Sequence, residues 1–241
     1  MKVKMLGHST LLLEVDGKKI LTDPWLTDPL YFGFLSHPGP FSTPALPPLD
    51  LVMVSHGHQD HFDQGTLAGI DKKTPVLICA RYEKAARKAG FTNVTAASPG
   101  EEVSLADLSI KVLPGKHPGG ITTFLVRGNG GSVFFGGDTV LTDDLFRALS
   151  GAAPDACLLP ISGGTMGPFP VHMGPEDAVK LAKASGTKRA IPIHYHFEMK
   201  WPSLNRFLFQ TDCLEKFTKK MAQDAPEIPV TVLAYNETWE K

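Results

Sequence analysis

Residues 56–61, with the sequence HGHQDH, place three imidazoles and one carboxylate within six positions. They follow the apolar run Leu51–Val54, which has the length and composition of a buried strand. Imidazole and carboxylate ligands together favour zinc, iron, manganese or nickel over calcium or magnesium. Because His56 and His58 are two positions apart, extended backbone directs both side chains to one side. The bend that follows can bring the last two residues to a second point, so the segment predicts a metal site with room for two adjacent ions.

The same segment resembles the HxHxDH signature of the metallo-β-lactamase superfamily. The other motifs of that superfamily are matched in the expected order along the chain. An early strand ends at Asp23, His117 precedes a glycine-containing turn, and Asp138 and His194 each end a later apolar strand. The resemblance covers about residues 3–200, and the motifs are specific as a set.

This resemblance implies both a fold and a set of ligands. The fold class would be α/β (α+β), a four-layer αββα sandwich formed by residues 1–241 as a single domain. Two divalent ions would bind at one edge of the sandwich, with zinc expected and manganese, iron or nickel as alternatives. The implied ligands are His56, His58 and His117 for the first ion and Asp60, His61 and His194 for the second, with Asp138 bridging the two.

The resemblance also implies roles beyond ligation. A hydroxide held by the ions would attack the substrate, and Asp60 would act as the catalytic residue that orients this nucleophile or accepts its proton. Asp23 would support the histidine segment from behind, because ligand imidazoles need oriented partners. Three further histidines are candidates: His8 would face the mouth of the site, and His172 and His196, which flank the motifs, could contact the substrate or donate a proton.

The sequences around the motifs narrow the resemblance to one branch of the superfamily. Gly7–Thr10 (GHST) and Met173–Ala178 (MGPEDA) resemble the corresponding segments of L-ascorbate-6-phosphate lactonase and its uncharacterised metal-dependent hydrolase relatives. The implied function is hydrolysis of a small ester, a lactone or a phosphorylated metabolite. A phosphodiesterase or nuclease on the same fold is the main alternative. A mononuclear-iron persulfide dioxygenase and a non-catalytic binding module are two more, because a fold does not fix a function.

The composition of the 241 residues restricts the partners and the compartment. With 24 Lys and Arg against 25 Asp and Glu, the net charge is −1, which argues against a broad cationic surface for nucleic acid or anionic lipid. Three widely spaced cysteines argue against a disulfide framework and indicate a reducing compartment. No apolar stretch approaches the roughly 18 residues of a membrane span, and no signal peptide is recognisable. We expect a cytoplasmic protein that acts on a small molecule, with self-association left open.

Apolar runs and turn signals predict hairpins in each half of the chain and helices between the later strands. Asp16–Gly17 has the composition of a two-residue hairpin turn. Pro24–Pro48, with seven prolines and five aromatic residues, predicts a long loop that either covers an apolar part of the substrate or packs on the body. The loop Ser162–Thr165 could donate backbone N–H groups to an anion. A helix is predicted at Ser203–Met221 and a last strand at Val230–Leu233.

Overall fold

Two sheets lie face to face in the computed structural model of this protein, which describes residues 1–39, 41–201, 209 and 212–241. The first sheet has, in spatial order, the strands β17 (Thr238–Glu240), β1 (Lys2–Gly7), β2 (Thr10–Val15), β3 (Lys18–Thr22), β5 (Leu51–Val54), β6 (Val76–Cys79) and β7 (Val94–Ala97). The second sheet has the strands β15 (Ala190–Ile193), β12 (Ala156–Pro160), β11 (Gly131–Phe135), β10 (Thr122–Gly128), β9 (Leu108–Pro114) and β8 (Glu102–Leu105).

Two short strand pairs, five α-helices and two 3₁₀ turns (Tyr31–Gly33 and Ala80–Tyr82) complete the described elements. The pairs are β4 (Leu35–Ser36) with β16 (Glu198–Met199) and β13 (Thr165–Met166) with β14 (Phe169–Pro170). The helices are α1 (Gln64–Ala68), α2 (Glu83–Lys88), α3 (Asp143–Leu149), α4 (Pro175–Ser185) and α5 (Cys213–Asp224). None of these helices is long and apolar enough to cross a membrane.

The alternation of side chains along each strand fills the space on both sides of each sheet. In β10, Phe124 and Val126 pack against the first sheet, while Leu125 between them packs toward the helices on the other side. In β1, Val3 and the other inward residues likewise join the core between the sheets. The centre of β10 is apolar because both of its faces are buried, whereas the outward positions of β1 are Lys2 and Lys4, which are only partly buried.

Helices cover the outer face of each sheet. Helices α3, α4 and α5 pack on the second sheet through residues such as Leu149, Leu181 and Phe217. On the first sheet, α1 and α2 contribute Leu67 and Ala86 to a separate apolar cluster. The layers therefore run helix, sheet, sheet, helix, and the predicted αββα sandwich is confirmed.

Local turn chemistry agrees with several predicted boundaries. Asp16 and Gly17 have φ values of 52° and 76°, the left-handed pair that a type I′ hairpin turn between β2 and β3 requires. Helix α4 begins with Pro175 at its first position and is followed by Gly186 in the left-handed region, which ends it.

The C-terminal segment differs from its prediction. Val230–Leu233 was expected to be a strand, and this is wrong: Val230 forms one parallel bridge to Ala190, after which the chain crosses to the first sheet and buries Leu233 between the sheets. The last strand is instead β17, which pairs with β1. The predicted helix start at Ser203 lies outside the described residues, and the described helix α5 extends beyond Met221 to Asp224.

Candidate metal centre

The candidate residues gather at one edge of the sandwich because parallel strands end there. Strands β3 and β5 are parallel neighbours in the first sheet, and β11, β12 and β15 run parallel in the second. Asp23 follows β3 and His56 comes two residues after β5, whereas Asp138 and His194 follow β11 and β15 and His117 follows β9. Each sheet therefore supplies part of the site.

The first cluster contains His56, His58 and His117. One ring nitrogen from each of these side chains lies within 4.8 Å of the others, a spacing that one metal ion could bridge. Nε2 of His117 lies 3.1 Å from Nδ1 of His58, so His58 directs its Nδ1 inward. Tyr82 holds the two supporting loops together, because its hydroxyl donates to the carbonyl of Gly119 at 2.8 Å and its ring covers Gly57.

The second cluster contains Asp60, His61 and His194, and it also includes His8. Ligand atoms of these four residues lie within 4.8 Å of one another. Nε2 of His8 and Nε2 of His61 each lie 3.5 Å from Oδ2 of Asp60. His8 occupies the turn after β1 and is buried, so the GHST segment places a fourth candidate ligand in this cluster.

Asp138 lies between the two clusters. Its Oδ2 is 3.5 Å from Nε2 of His117 in the first cluster and 3.3 Å from Nε2 of His194 in the second. The same oxygen is 3.2 Å from Nε2 of His172, which forms a further group of close ligand atoms with His117 and Asp138. This is the place that a bridging carboxylate would occupy.

Hydrogen bonds at the back of the rings orient the imidazoles. Nδ1 of His61 lies 2.7 Å from the carboxylate of Asp23, and Nδ1 of His117 lies 2.9 Å from the carbonyl of Val171. Asp23 also accepts from the amide N–H and the hydroxyl of Ser55, both at 2.6 Å, and that hydroxyl lies 3.1 Å from Nδ1 of His56.

The front of the site carries buried polar atoms that lack protein partners. Among the described residues, these atoms include Nε2 of His56, His61 and His194 and Oδ1 of Asp138. Leaving a buried polar atom unpaired is costly, so native proteins supply a partner from the chain, from water or from an ion. Nitrogen and carboxylate donors that converge in this way fit a divalent transition metal.

The electrostatics of the site also favour a cation. Burial and neighbouring imidazoles hold the pKa values of His56 and His194 well below the usual range, so both rings are neutral and can ligate. Burial alone would lower the pKa of His61 as well, but the carboxylates of Asp60 and Asp23 raise it to about 9. The carboxylates therefore favour a positive charge at His61, and a metal ion could supply that charge in place of the proton.

Three residues of the site have a backbone conformation that is unusual for residues with a Cβ. The φ values of His8, Asp23 and His194 are 51°, 33° and 55°. Such conformations cost of order 1–3 kcal/mol each and persist where the surroundings enforce them, typically at functional sites. The N–H of His194 also donates to the carbonyl of His8 at 3.3 Å, which joins two of these strained positions across the sheets.

Replacing Asp23 by asparagine is expected to lower the affinity for zinc by about 10–100-fold, because the partner that orients His61 is weakened. Asp23 is fully buried, and its carboxylate accepts from both Ser55 and His61. Calorimetric titration of the metal-free protein with zinc measures the effect. Asp63→Asn is the matched control, since Asp63 is a buried carboxylate that caps α1 away from the centre. Equal affinities in D23N and D63N would contradict the expectation.

One predicted candidate lies outside the centre, and three residues of the site were not predicted as part of it. The ring of His196 is stacked on Tyr195 and Tyr235 and does not belong to any described group of close ligand atoms. Tyr31 donates from its hydroxyl to Oδ1 of Asp60 at 2.9 Å. Ser55 and Ser162 bind imidazoles through their hydroxyls, a role that only their positions directly after β5 and near the end of β12 could have suggested.

At Gly163, the loop Ser162–Thr165 does not offer the free backbone N–H group for an anion that the sequence suggested. The backbone N–H of Gly163 donates to the carbonyl of Met173 at 3.0 Å, so this group is not free to bind an anion. The side chain of Ser162 instead faces the ring nitrogens of His172 and His194.

A cavity of about 420 Å³ opens beside the two clusters. Its floor includes Asp60 and Asp138, and no lysine or arginine of the described residues lines it. The long loop lines the cavity through Tyr31, Phe34 and Leu35, and it packs on the body, where Trp25 is fully buried. The other apolar lining residues include Met166, Val171, Met199 and Phe209.

Comparisons with known proteins agree with the fold and the site. The family model described as "Beta-lactamase superfamily domain" matches residues 18–195. The UPF0173 metal-dependent hydrolase of Methanopyrus kandleri is 28% identical over 255 residues, and that of Pelotomaculum thermopropionicum is 30% identical over 256 residues, each alignment covering all of both chains. The solved structure of Igni18, a metallo hydrolase from Ignicoccus hospitalis, matches with a TM-score of 0.71 and 25% identity over 100% of this chain and 98% of the other.

An αββα sandwich with clustered histidines and aspartates at one edge defines a class of metal-binding proteins. Within that class, the matching family model and the full-length relatives show that this chain belongs to the metallo-β-lactamase superfamily. The relatives are metal-dependent hydrolases by name, and the chemistry of the clusters supports the same general function here.

Proposed function

We propose that this protein uses two divalent metal ions to hydrolyse a small, uncharged ester or lactone with an apolar substituent. One observation carries the proposal: two groups of converging ligand atoms lie on either side of Asp138 and adjoin a mainly apolar cavity. Asp60, Asp138, His58 and His117 all line that cavity, so a substrate inside it would reach both clusters.

The proposed ligands are those that the sequence predicts. His56, His58 and His117 would hold one ion, and Asp60, His61 and His194 would hold the other, with Asp138 between them. We propose zinc as the resident metal, with manganese, iron or nickel as alternatives that accept the same donors. When bound, such ions lower the pKa of a water molecule and polarise the carbonyl of the substrate.

The chain contributes an ionised carboxylate that can orient a water molecule. Tyr31 donates to Oδ1 of Asp60 and so fixes the carboxylate, whose Oδ2 faces the imidazoles of His8 and His61. Although burial alone would raise the pKa of Asp60, the neighbouring imidazoles hold it well below its usual range. Asp60 is therefore ionised at neutral pH and can orient an attacking water through a hydrogen bond, whereas so low a pKa makes it a weak proton acceptor.

The walls of the cavity determine which of the predicted substrate classes we propose. A phosphorylated metabolite needs cationic partners, and the described lining supplies none. An ester or lactone needs only apolar contact and polarisation of its carbonyl. The resemblance to L-ascorbate-6-phosphate lactonase thus extends, in this proposal, to the lactone chemistry and not to the phosphate. A cytoplasmic location and self-association stay predictions.

Hydrolysis by separately zinc-loaded and manganese-loaded protein tests the proposal. We expect turnover of a panel of alkyl lactones and p-nitrophenyl esters, and little turnover of bis(p-nitrophenyl) phosphate. The double variant H58A/D60N serves as the blank, and it should lose the ester and lactone activity. Turnover of the phosphodiester without ester or lactone cleavage would replace the proposal with the phosphodiesterase alternative. Activity that survives in the double variant would show that a different site is responsible.

A further inference from the structure

The hydroxyl of Ser162 lies between two histidines of the centre. Its Oγ is 3.1 Å from Nδ1 of His172 and 3.2 Å from Nδ1 of His194. Ser162 is buried, and in the part of the chain that the structure describes these two ring nitrogens are the hydrogen-bond partners of its hydroxyl.

A hydroxyl has one hydrogen, so it can donate to only one of the two rings. If both rings carried a hydrogen on Nδ1, the oxygen would accept twice and its own buried hydrogen would be left without a partner, which is unfavourable. If neither ring carried a hydrogen on Nδ1, the hydroxyl could donate to only one of them. The Nδ1 lone pair of the other ring would then face the oxygen with no hydrogen between them. Full pairing therefore requires opposite tautomers: one ring donates to Ser162 through Nδ1, and the other accepts from it.

The surroundings distinguish the two rings. Nε2 of His194 is buried, has no protein partner and belongs to the second cluster with His8 and Asp60. A ligand nitrogen must present a lone pair, and this puts the hydrogen of His194 on Nδ1, where it donates to Ser162. Ser162 must then donate to Nδ1 of His172, which leaves the hydrogen of His172 on Nε2.

We propose that Ser162 fixes His172 in the Nε2–H form, so that His172 presents a hydrogen-bond donor to the oxygen of the substrate on which negative charge develops. This inference rests on the proposed function, because it takes His194 as a metal ligand. His172 lines the cavity of about 420 Å³ beside the two clusters, whereas His194 does not. Nε2 of His172 also lies 3.2 Å from Oδ2 of Asp138, a carboxylate that accepts this hydrogen while no substrate is bound.

Packing holds the ring of His172 in that orientation. Phe209 stacks on it with 5.2 Å between ring centroids, and a Cβ at position 164 would collide with Nδ1, so Gly164 permits the close approach. Because Nδ1 of His172 accepts the hydrogen of Ser162, the ring is neutral and has one N–H group, at Nε2, to donate. A donor held in place before the reaction contributes more than one that must reorganise.

Nitrogen NMR of zinc-loaded protein with ¹⁵N-labelled histidine tests the tautomers directly. We expect the Nε2–H form for His172 and the Nδ1–H form for His194, with the His172 signals assigned through H172Q. In Ser162→Ala, His172 should become a mixture of tautomers, whereas Ser162→Thr, which keeps a hydroxyl, should preserve the Nε2–H form. Nδ1–H forms in both rings, or an unchanged His172 in S162A, would overturn the proposal. This result does not depend on finding a substrate.

Kinetics and metal content test the donor role. His172→Phe should lower kcat by about 10²–10³-fold, as removal of one preorganised donor does, with little change in KM. His172→Gln, which keeps an N–H donor, should retain more of the activity. Both variants should keep the metal content of the unmodified protein. Loss of one metal equivalent in H172F would make His172 a ligand and overturn the donor role, and so would an unchanged kcat.

Discussion

Replacing His58 by alanine is expected to remove about one equivalent of metal per chain and to lower kcat/KM more than a hundredfold. His58 supplies one of the three ring nitrogens of the first cluster, and its Nδ1 lies 3.1 Å from Nε2 of His117. Loss of a residue that merely orients a ligand already costs about 10–100-fold in affinity or activity, so loss of a ligand should cost more. His58 is only partly buried, so the variant is expected to fold.

Elemental analysis after dialysis and steady-state kinetics measure the two effects. His196→Ala is the matched control, because it removes the same side chain from an exposed position that belongs to neither cluster. H196A should keep both its metal and its activity. Full metal content in H58A, or an equal loss in both variants, would contradict the assignment of the first cluster.

Adding a phosphate group to the apolar part of a cleaved ester is expected to lower kcat/KM by about a thousandfold. The cavity walls are formed by side chains such as Phe34, Leu35 and Met199, and no lysine or arginine of the described residues lines this cavity, whereas Lys116 lines the adjoining one. Placing an ionised group beside apolar walls without a partner costs several kcal/mol. About 4 kcal/mol corresponds to a thousandfold change.

Two kinds of substitution sharpen this test. Phe34→Arg should reduce the difference in kcat/KM between the two substrates, because it gives the phosphate a cationic partner. Phe34→Leu should keep the preference for the neutral ester. The segment 202–208, outside the described residues, contains Arg206 in its sequence. If the phosphorylated ester is the better substrate and R206A abolishes that preference, the expectation is wrong and the cation is identified.

The sandwich and the set of site residues were predicted from the resemblance to the metallo-β-lactamase superfamily, and the structure gives a geometric reason why the motif residues gather. Each of these residues follows an apolar strand, and strands that run parallel end at the same edge of the sandwich. Their order and spacing along the chain therefore carried most of the information about the centre. His196 shows the limit of this reasoning, because two residues beyond His194 the chain has already turned away from the site.

Contacts between distant loops could not be predicted in the same way. The hydrogen bond from Tyr31 to Asp60 joins residues 29 positions apart, and it depends on how a proline-rich loop returns over the body. The link from Ser162 to His194 spans 32 positions. Neither pair has a periodicity or a motif that indicates it. The strand prediction for Val230–Leu233 was wrong because its apolar residues belong to two different layers: Val230 bridges Ala190 in the second sheet, whereas Leu233 is buried between the two sheets.

Division of the candidate ligands between the two sheets has a consequence for folding. His56, His58 and His61 come from the first sheet, while His117, Asp138 and His194 come from the second, and Tyr82 ties their loops together. Neither sheet can assemble the proposed site alone, so cation binding and the association of the sheets form a single equilibrium. A ligand present at a hundred times its Kd stabilises the native state by about 2.7 kcal/mol. Under the proposed function, scarcity of the ion would therefore lower the stability of the folded protein as well as remove its activity.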